Sequence, residues 1–400
     1  MNKMTVADIA VSGKRVLLRV DYNVPLDEAT GAITDDSRIR ATLPTIKYLI
    51  EHSAKVIIIS HLGRPKGVVV DALRLAPVAQ RLAKVLGQPV GMAQDCIGPE
   101  VQKAVEYLRD GEVLLLDNLR FHPEEESGKD EFAQSLASLA DIFVNDAFGA
   151  SHRAHASIVG VADYLPAVAG FLLDKEIKTL GGLLESPAHP FANLLGGAKI
   201  SDKVGLLQNI MDKVDYILVG GGMAATFLKA QGYGIGSSLV EDDKLDLVLK
   251  IEQDAQQNGV EVLLPVDVMV ADEINAEAQV QIVPIDSISP PWRIVDIGPR
   301  TVDNFATTLQ GCQTVFWNGP MGIFEITRFA EGTRRLAEVL SGTSATTIIG
   351  GGSTAEAVAE MGLADRMTFV STGGGASLEF LGSATLPGVE VLLNKGSRVD

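Results

Sequence analysis

The sequence predicts an α/β protein made of two doubly wound, parallel-sheet (Rossmann-like) domains joined by a helix. Three observations lead to this prediction. The chain has 400 residues, more than a single hydrophobic core usually serves. Short β-branched runs recur along its whole length with helical patterns between them, and the residues that follow these runs change in character from the first half to the second.

The β-branched runs are interpreted as strands. In order they read RVLLRV, KVIIIS, EVLLLD, DIFVND, YILVGGG, EVLLPVD, TVFWNG, TTIIGGG and MTFVSTGGG. Apolar runs without alternation are typical of strands buried on both faces, and their spacing by helices favours parallel sheets of the βαβ kind. Ligands of such sheets bind beyond the carboxyl ends of the strands, so the residues after each run are the candidates.

Polar and cationic side chains follow the early runs, whereas glycines follow the late ones. The early set comprises Asp21, Asn23, His61, Arg64, Asn118, Arg120, Asn145, Asp146, His152, Arg153 and His155. The late set comprises GGAK at 196–199, GGG at 220–222, NGPMG at 318–322, GGG at 350–352 and GGG at 373–375. We interpret the first set as a pocket for a small, multiply charged anion and the second as backbone cradles for a phosphate-rich ligand.

A helical pattern ending in a proline turn, FLLDKEIKTLGGLLESPAHP at 171–190, separates the two sets. The predicted organisation is an N-terminal domain over 1–172, a connector helix over 173–188 and a C-terminal domain over 189–388. The C-terminal tail, 389–400, is expected to pack back on the first domain.

Composition limits the classes of partner. The formal net charge of −17 argues against a nucleic-acid or anionic-membrane surface. Cys96 and Cys312 lack metal-ligand or redox spacing, which favours ordinary thiols in a reducing compartment. The N-terminus has no continuous apolar segment, and no later stretch offers about 18 uninterrupted apolar residues, so we expect a soluble, cytoplasmic protein.

Several signals leave alternatives open. His152 and His155 lie three apart, but no carboxylate or cysteine at ligand spacing supports a metal. Lys199 and Lys203, four apart at an expected helix start, would share a face suited to phosphate or simply to solvent.

A dehydrogenase is a further alternative. GGGMAA at 220–225 and GGGSTA at 350–355 fit a loose dinucleotide-binding pattern, and Glu241 stands about 20 residues beyond the first, as a dehydrogenase requires. Phosphoryl transfer between two ligands is the best interpretation of the residues themselves.

Eight longer motifs, in order, carry a resemblance to a known family. They are RVDYNVP (19–25), SHLGRP (60–65), LDNLRFHPEEE (116–126), VNDAFGASHRAH (144–155), LLGGAKISDK (194–203), VGGGMAATFLKA (219–230), FWNGPMGIFE (316–325) and STGGGASLEFL (371–381). Over essentially its whole length the chain resembles phosphoglycerate kinases.

This resemblance implies a glycolytic, Mg²⁺-dependent phosphotransferase, usually a cytoplasmic monomer. It moves a phosphoryl group in line between 1,3-bisphosphoglycerate with ADP and 3-phosphoglycerate with ATP, after domain closure. The implied substrate-binding residues are Asp21, Asn23, Arg38, His61, Arg64, Arg120 and Arg153. The implied nucleotide-binding residues are Lys199, Lys203, Asn318, Glu325, Gly351, Gly352, Ser353 and Thr354. Arg38 and Lys203, with the amides of Gly373, Gly374 and Gly375, are the implied catalytic groups.

Two departures from the family pattern stand out. Ser353 replaces the Asp that is usual in the turn after the glycines, which leaves the protein ligand of the metal unknown and is the one feature that favours a non-catalytic nucleotide-binding descendant. The chain also has GSA at 382–384 in place of Glu-Gly-Lys, where we expect a surface loop.

Overall fold

The structure, a computed structural model, describes residues 2–27, 29–383 and 385–397. The chain divides into two compact units. One comprises the described residues up to Lys178 and those from Thr385 onward, and the described residues between these two segments form the other. The division therefore falls inside the segment predicted as the connector.

The first unit is built on a parallel sheet of six strands. They are β1 (Arg15–Arg19), β2 (Lys55–Ile59), β3 (Gly91–Met92), β4 (Val113–Leu115), β5 (Ile142–Asn145) and β6 (Ala167–Ala169). The order across the sheet is β3-β4-β2-β1-β5-β6, with parallel pairing throughout. Strands β1 and β2 are buried at every position after the first, as expected for strands covered on both faces.

Helices of the first unit connect these strands. They are α1 (Ser37–Ala41), α2 (Leu43–Glu51), α3 (Ala76–Leu86), α4 (Pro99–Glu106), α5 (Pro123–Glu126) and α6 (Asp130–Ala137), while α7 (Phe171–Glu185) begins in the first unit and ends in the second. The chain continues to one side of β1 with β2, β4 and β3, and to the other side with β5 and β6. The carboxyl end of the sheet around β1 and β5 is thus a topological switch point, where open sheets bind ligands.

The second unit has two sheets. Its strands are β7 (Phe191–Leu195), β8 (Tyr216–Val219), β9 (Glu261–Leu263), β10 (Asp267–Ala271), β11 (Val280–Pro284), β12 (Arg293–Ile297), β13 (Thr314–Asn318), β14 (Thr346–Gly350) and β15 (Phe369–Val370). The larger sheet is parallel with the order β15-β14-β13-β7-β8-β9. The smaller sheet is antiparallel with the order β11-β10-β12.

Helices again link the parallel strands of the second unit. They are α8 (Val204–Ile210), α9 (Met223–Ala230), α10 (Leu245–Asn258), α11 (Pro299–Gln310), α12 (Glu331–Ser341), α13 (Gly352–Glu360) and α14 (Gly375–Ser383). A last helix, α15 (Pro387–Glu390), belongs to the first unit. Within the described residues, no helix is both long and apolar enough to cross a membrane.

The predicted fold class is confirmed, with corrections to individual elements. The run EVLLPVD, predicted as one strand, is divided between β9 and β10, because Pro265 cannot donate a ladder hydrogen bond. The antiparallel sheet was not predicted, nor was β7, whose centre holds the polar but fully buried Asn193. The expected loop at 382–384 was wrong for its first residues, since Gly382 and Ser383 end α14; Ala384 lies outside the described residues.

Candidate active site

Charged side chains converge beyond the carboxyl ends of β1 and β2. The Asp21 carboxylate accepts a hydrogen bond from Arg38 Nη1 at 2.6 Å, and its Oδ1 lies 3.9 Å from His61 Nε2. On the far side of the imidazole, His61 Nδ1 lies 3.3 Å from Nη2 of the fully buried Arg19. Arg38, Asp21, His61 and Arg19 therefore form a continuous row of contacting polar groups.

The protonation states of this row follow from burial and neighbouring charge. Burial alone would raise the pKa of Asp21, but the positive charge around it, including the Arg38 and Arg19 guanidinium groups, outweighs burial and lowers that pKa to about 2. Burial lowers the pKa of His61 well below its usual value, and the surrounding arginines act in the same direction. At neutral pH the row holds an ionised carboxylate, a neutral imidazole and guanidinium groups that can bind an anion.

A second set of contacts positions the loop after β2. The Gly63 amide donates to Asn23 Oδ1 at 2.8 Å, and Arg120 Nη1 donates to the Gly63 carbonyl at 2.7 Å. Arg120 Nε also pairs with Glu126 Oε1 at 3.2 Å. Two of the predicted ligand-binding residues thus hold the loop on which a third, Arg64, stands exposed to solvent.

Arg153 joins this cluster from the segment after β5. Its Nε donates to Nε2 of the neighbouring His152 at 3.1 Å, and its charge acts on Arg19, His61 and Arg120. The structure therefore brings Asp21, Asn23, Arg38, His61, Arg120 and Arg153 together around the loop that carries Arg64.

A buried polar network that the sequence did not reveal lies behind the cluster. Arg19 Nε donates to Ser157 Oγ at 2.9 Å, and the buried Glu125 carboxylate accepts from the Ser157 amide at 3.0 Å and from its hydroxyl at 2.5 Å. His155 Nδ1 lies 3.7 Å from Glu125 Oε1. The sequence contains a feature that could have revealed Arg19, because this charged residue interrupts the otherwise apolar run RVLLRV.

Three residues predicted for the anion pocket form hydrogen bonds within the chain. Asn118 donates to the Leu62 carbonyl at 2.7 Å and accepts from its amide at 3.2 Å. Asn145 Nδ2 donates to Ser151 Oγ at 3.1 Å and to the Gly388 carbonyl at 2.9 Å. Asp146 accepts from two amides at the start of α7. These contacts give no support to a ligand-binding role, because the position after a strand is also where a side chain can hydrogen-bond to the next loop.

In the second unit a cavity of about 210 Å³ lies between the ends of β7, β13 and β14. Its walls include most of the predicted nucleotide-binding and glycine-turn positions. These are Lys199, Lys203, Asn318, Gly351, Gly352, Ser353, Thr354, Gly374 and Gly375. Gly373 is absent from this lining, and its amide donates to Ser371 Oγ at 3.1 Å.

Lys203 is the buried cation of this cavity. Its ammonium group donates a hydrogen bond to Asn318 Oδ1, and burial lowers the pKa of Lys203 to about 8, against the opposing charge of Asp202. The amide nitrogen of Asn318 is buried and has no hydrogen-bond partner within the described residues. Such an orphaned donor next to an ammonium group is suited to an anionic oxygen.

The expectation that Lys199 and Lys203 share a helix face was wrong. Helix α8 begins only at Val204, and the preceding turns leave Lys199 exposed while Lys203 is buried. Glu241 accounts for this conformation, since its carboxylate accepts from the Ile200 amide at 2.6 Å and from Ser201 Oγ at 2.6 Å. Glu241 holds this loop, and that contact gives no support to the ribose-binding role that a dehydrogenase would require.

The glycines of the cavity fall into two kinds. A Cβ added to Gly221 would lie 2.5 Å from the Gly197 amide nitrogen, so this glycine allows two loops to approach each other. A Cβ on Gly352 or Gly375 would meet nothing within 4 Å. The fold does not require glycine at these last two positions, which leaves room for a ligand against the backbone.

A larger cavity of about 830 Å³ adjoins the first and shares Gly197, Ala198, Pro320 and Ser353 with it. Its walls are mainly small and aliphatic, with Leu239, Val240 and Val295 among them. Glu325, predicted for the nucleotide, lies on this cavity and is exposed. Arg293, which the sequence did not single out, also lines it.

Ser353 lies at the junction of the two cavities with its side chain exposed. Carboxylates stand nearby on the lining, Asp202 on the smaller cavity and Glu325 on the larger one. A hydroxyl with carboxylates in the surrounding wall is a donor set that suits a hydrated Mg²⁺ carried by phosphates, since Mg²⁺ keeps several waters and prefers oxygen ligands.

The chain is similar to known proteins over nearly its whole length. The family model described as phosphoglycerate kinase matches residues 6–383. A phosphoglycerate kinase of Moorella thermoacetica is 54% identical over 395 residues, covering 99% of this chain and 100% of the relative. Solved phosphoglycerate kinase structures from Coxiella burnetii (TM-score 0.86, 42% identity) and Pyrococcus horikoshii (TM-score 0.85, 32% identity) each cover 97% of this chain and 98% of their own.

Proposed function

The chain belongs to the phosphoglycerate kinase family, and on this premise we propose that the charged cluster of the first unit binds phosphoglycerate while the cavities of the second bind the nucleotide. The activity is that of the family, a phosphotransferase of glycolysis with a carboxyl group as acceptor. The observation that carries the assignment of ligands to units is the contrast between a guanidinium-rich cluster in the first unit and a glycine-lined cavity around Lys203 in the second.

We propose that 3-phosphoglycerate and 1,3-bisphosphoglycerate are held by side chains. Arg64, Arg120 and Arg153 supply donors for the phosphate, because guanidinium groups bind phosphate oxygens in a fixed, bidentate geometry. Asp21, Asn23 and His61 are polar groups near the same loop and suit the hydroxyl and carboxyl oxygens of the glycerate. The ionised Asp21 also orients Arg38 through their 2.6 Å contact.

We propose that ATP and ADP lie in the second unit with their phosphates in the smaller cavity. Lys199, Lys203 and the Asn318 amide would meet phosphate oxygens there, with the backbone from Gly351 to Thr354 at the start of α13. The larger, more apolar cavity has the size and lining for the nucleoside, with Glu325 on its wall.

The transfer itself needs no covalent enzyme intermediate. A carboxylate oxygen of 3-phosphoglycerate forms a bond to the γ-phosphorus of ATP as the bond from that phosphorus to the β-phosphate oxygen breaks, and ADP leaves with the electron pair. The protein contributes position and positive charge around the equatorial oxygens. We assign that charge to Arg38 and Lys203, with the amides of Gly374 and Gly375, since the Gly373 amide already donates to Ser371. We expect closure on both ligands to exclude water.

Mg²⁺ is the metal we propose for the nucleotide. When bound, it neutralises phosphate charge and shapes the triphosphate for in-line transfer. Ser353 offers a hydroxyl, where the family usually has Asp, to a metal-bound water or to a phosphate oxygen, and Asp202 and Glu325 stand on the surrounding walls. The remaining protein ligands to the ion would be few, as is usual for Mg²⁺.

We further propose that the enzyme acts as a cytoplasmic monomer without nucleic-acid or membrane partners. The net charge of −17 supports the absence of nucleic-acid and anionic-membrane partners, because it opposes association with polyanions.

A coupled assay tests the function directly. With 3-phosphoglycerate, ATP and Mg²⁺ we expect steady turnover that stops when any one of the three is omitted. A chain that binds ADP but gives no turnover would instead be a non-catalytic, nucleotide-binding descendant.

A further inference from the structure

Three potential metal ligands meet in the first unit, away from the charged cluster. Asp95, Cys96 and His122 each offer one ligand atom, and these atoms all lie within 4.8 Å of one another. His122 Nε2 is 2.7 Å from Asp95 Oδ1, so two of the three are already in contact. We propose that Asp95, Cys96 and His122 form a binding site for a soft divalent cation such as Zn²⁺.

The donor set indicates which ion the site would take. Sulfur, imidazole nitrogen and carboxylate oxygen together suit Zn²⁺ and disfavour Mg²⁺ and Ca²⁺, which prefer oxygen alone. Around a tetrahedral Zn²⁺ with bonds of about 2.0–2.3 Å, ligand atoms lie about 3.5 Å apart. The present separations therefore require each side chain to move by about 1 Å or less, and a water would complete the coordination.

The cluster is open on one side. The Cys96 side chain is fully buried, while the side chains of Asp95 and His122 are 51% and 24% exposed. The Cys96 amide donates to Asp95 Oδ1 at 2.6 Å, and His122 Nε2 contacts the same oxygen. A cation entering between His122 and Asp95 would meet the sulfur at the base of the site.

Binding changes the protonation of the thiol. Burial raises the pKa of Cys96 well above its usual value, and the Asp95 carboxylate acts in the same direction, so the free protein holds a thiol. On binding, the S–H proton passes to the solvent, a bond forms between the ion and the thiolate, and one of the waters bound to the ion is released.

The site is coupled by the chain to the phosphoglycerate cluster. The Asp117 amide donates to the Asp95 carbonyl at 3.3 Å, and the segment from Asp117 leads through Arg120 to His122. Drawing His122 toward Cys96 would displace Arg120, which holds the Gly63 loop. Resting on the proposed phosphoglycerate site, this predicts that the ion raises the KM for 3-phosphoglycerate severalfold.

Cobalt titration of the full-length protein tests the site without an activity assay. Co²⁺ is the probe, because tetrahedral thiolate coordination gives a charge-transfer band that Co²⁺ bound to oxygen ligands lacks. We expect one such site per chain, with Zn²⁺ displacing the cobalt. Cys96→Ser should abolish the band, and Cys312→Ser, which changes the other buried free thiol, should retain it.

His122→Asn provides a second variant in case Cys96→Ser folds poorly, and it should weaken Co²⁺ binding at least tenfold with an unchanged Tm. No thiolate band in the wild-type protein, or an equal band in Cys96→Ser or His122→Asn, would overturn the proposal. If the band behaves as expected but Zn²⁺ leaves the KM for 3-phosphoglycerate unchanged, the site stands and its coupling to the cluster is rejected.

Discussion

The proposed ligand sites of the two units differ in whether side chains or exposed backbone form them. In the first, side chains make the site: Arg38, Asp21, His61 and Arg19 contact one another, and Arg120 and Asn23 fix the loop beside them. In the second, the site depends largely on the absence of side chains at two glycines. Gly352 and Gly375 leave space that a Cβ would occupy without touching the protein. Lys203 is the one buried cation on the lining of this cavity, among the described residues.

This difference predicts how each site fails. In the first unit, removal of one guanidinium group leaves the other contacts of the cluster in place. The loss of activity should therefore concentrate on the step that needs the removed charge. In the second, addition of a single methyl group should exclude a ligand without harming the fold. The predictions below use these contrasts, from the largest effect to the smallest.

Arg38→Ala should have the largest effect. If the Arg38 guanidinium meets the migrating phosphoryl group mainly in the transition state, kcat should fall about a hundredfold or more while KM values change little. Steady-state kinetics provide the measurement. Arg40→Ala is the matched control, because Arg40 lies on the same helix and pairs with Asp36 at 2.8 Å away from the cluster. A near-normal kcat with a raised KM would place Arg38 in ground-state binding.

Gly352→Ala should weaken ADP binding roughly 10- to 100-fold, the loss expected when charge-assisted hydrogen bonds to phosphate are displaced. Its Tm should stay close to that of the wild type, because the new Cβ meets nothing within 4 Å. Calorimetry of ADP binding and a thermal melt test both parts.

Gly182→Ala is the control for Gly352→Ala. This exposed glycine of α7 is also free of contacts for a Cβ, and its replacement should raise stability by up to about 1 kcal/mol without changing ADP affinity. Normal ADP binding by Gly352→Ala would mean that phosphate does not lie against this turn.

The titration of Lys203 should appear in the pH profile for the nucleotide. Burial lowers the pKa of Lys203 to about 8, so the free protein loses the ammonium charge above that pH and kcat/KM for ATP should fall up to about tenfold per pH unit. Lys203→Arg should lack this limb, since guanidinium stays protonated, whereas Lys199→Arg should keep it. A limb that persists unchanged in Lys203→Arg would assign it to another group.

The lowered pKa of Lys203 also affects stability, and here the effect of rising pH is favourable, whereas its effect on kcat/KM is unfavourable. The unfolded chain retains the proton up to the ordinary pKa of 10.5, and the folded chain releases it near 8. Between these values the unfolded state binds more protons, so the contribution of Lys203 to the free energy of unfolding rises with pH. Denaturant unfolding of the wild type and Lys203→Met over this range measures the contribution.

Ser353→Asp should have the smallest effect. A carboxylate at this exposed junction of the two cavities adds a charged oxygen ligand, so turnover should saturate at a Mg²⁺ concentration a few times lower, with similar nucleotide affinity. The check is a Mg²⁺ titration at fixed nucleotide. A curve that is unchanged or shifted to higher Mg²⁺ would show that position 353 does not govern the metal.

The sequence predicted the fold class, and it predicted which strand ends carry the charged cluster and the glycine-lined cavity, because apolar runs and strand ends are local features. It could not distinguish residues that face a ligand from residues whose hydrogen bonds position the neighbouring loops. Asn118 and Arg120 follow the same strand, yet the first is used by Leu62 and only the second reaches the cluster. It also missed Glu125 and considered a different role for Glu241, because the contacts of these two carboxylates involve partners 32 and 41 residues away in the chain.

The most direct test of the central claim is calorimetry of both ligands on two variants of the full-length protein. Arg64→Ala removes an exposed guanidinium from the first unit, and Gly352→Ala adds a methyl group to the second. We predict that Arg64→Ala weakens 3-phosphoglycerate binding about tenfold or more and leaves ADP binding unchanged, while Gly352→Ala does the reverse. The account is contradicted if either variant affects mainly the other ligand, or if both variants weaken both ligands equally.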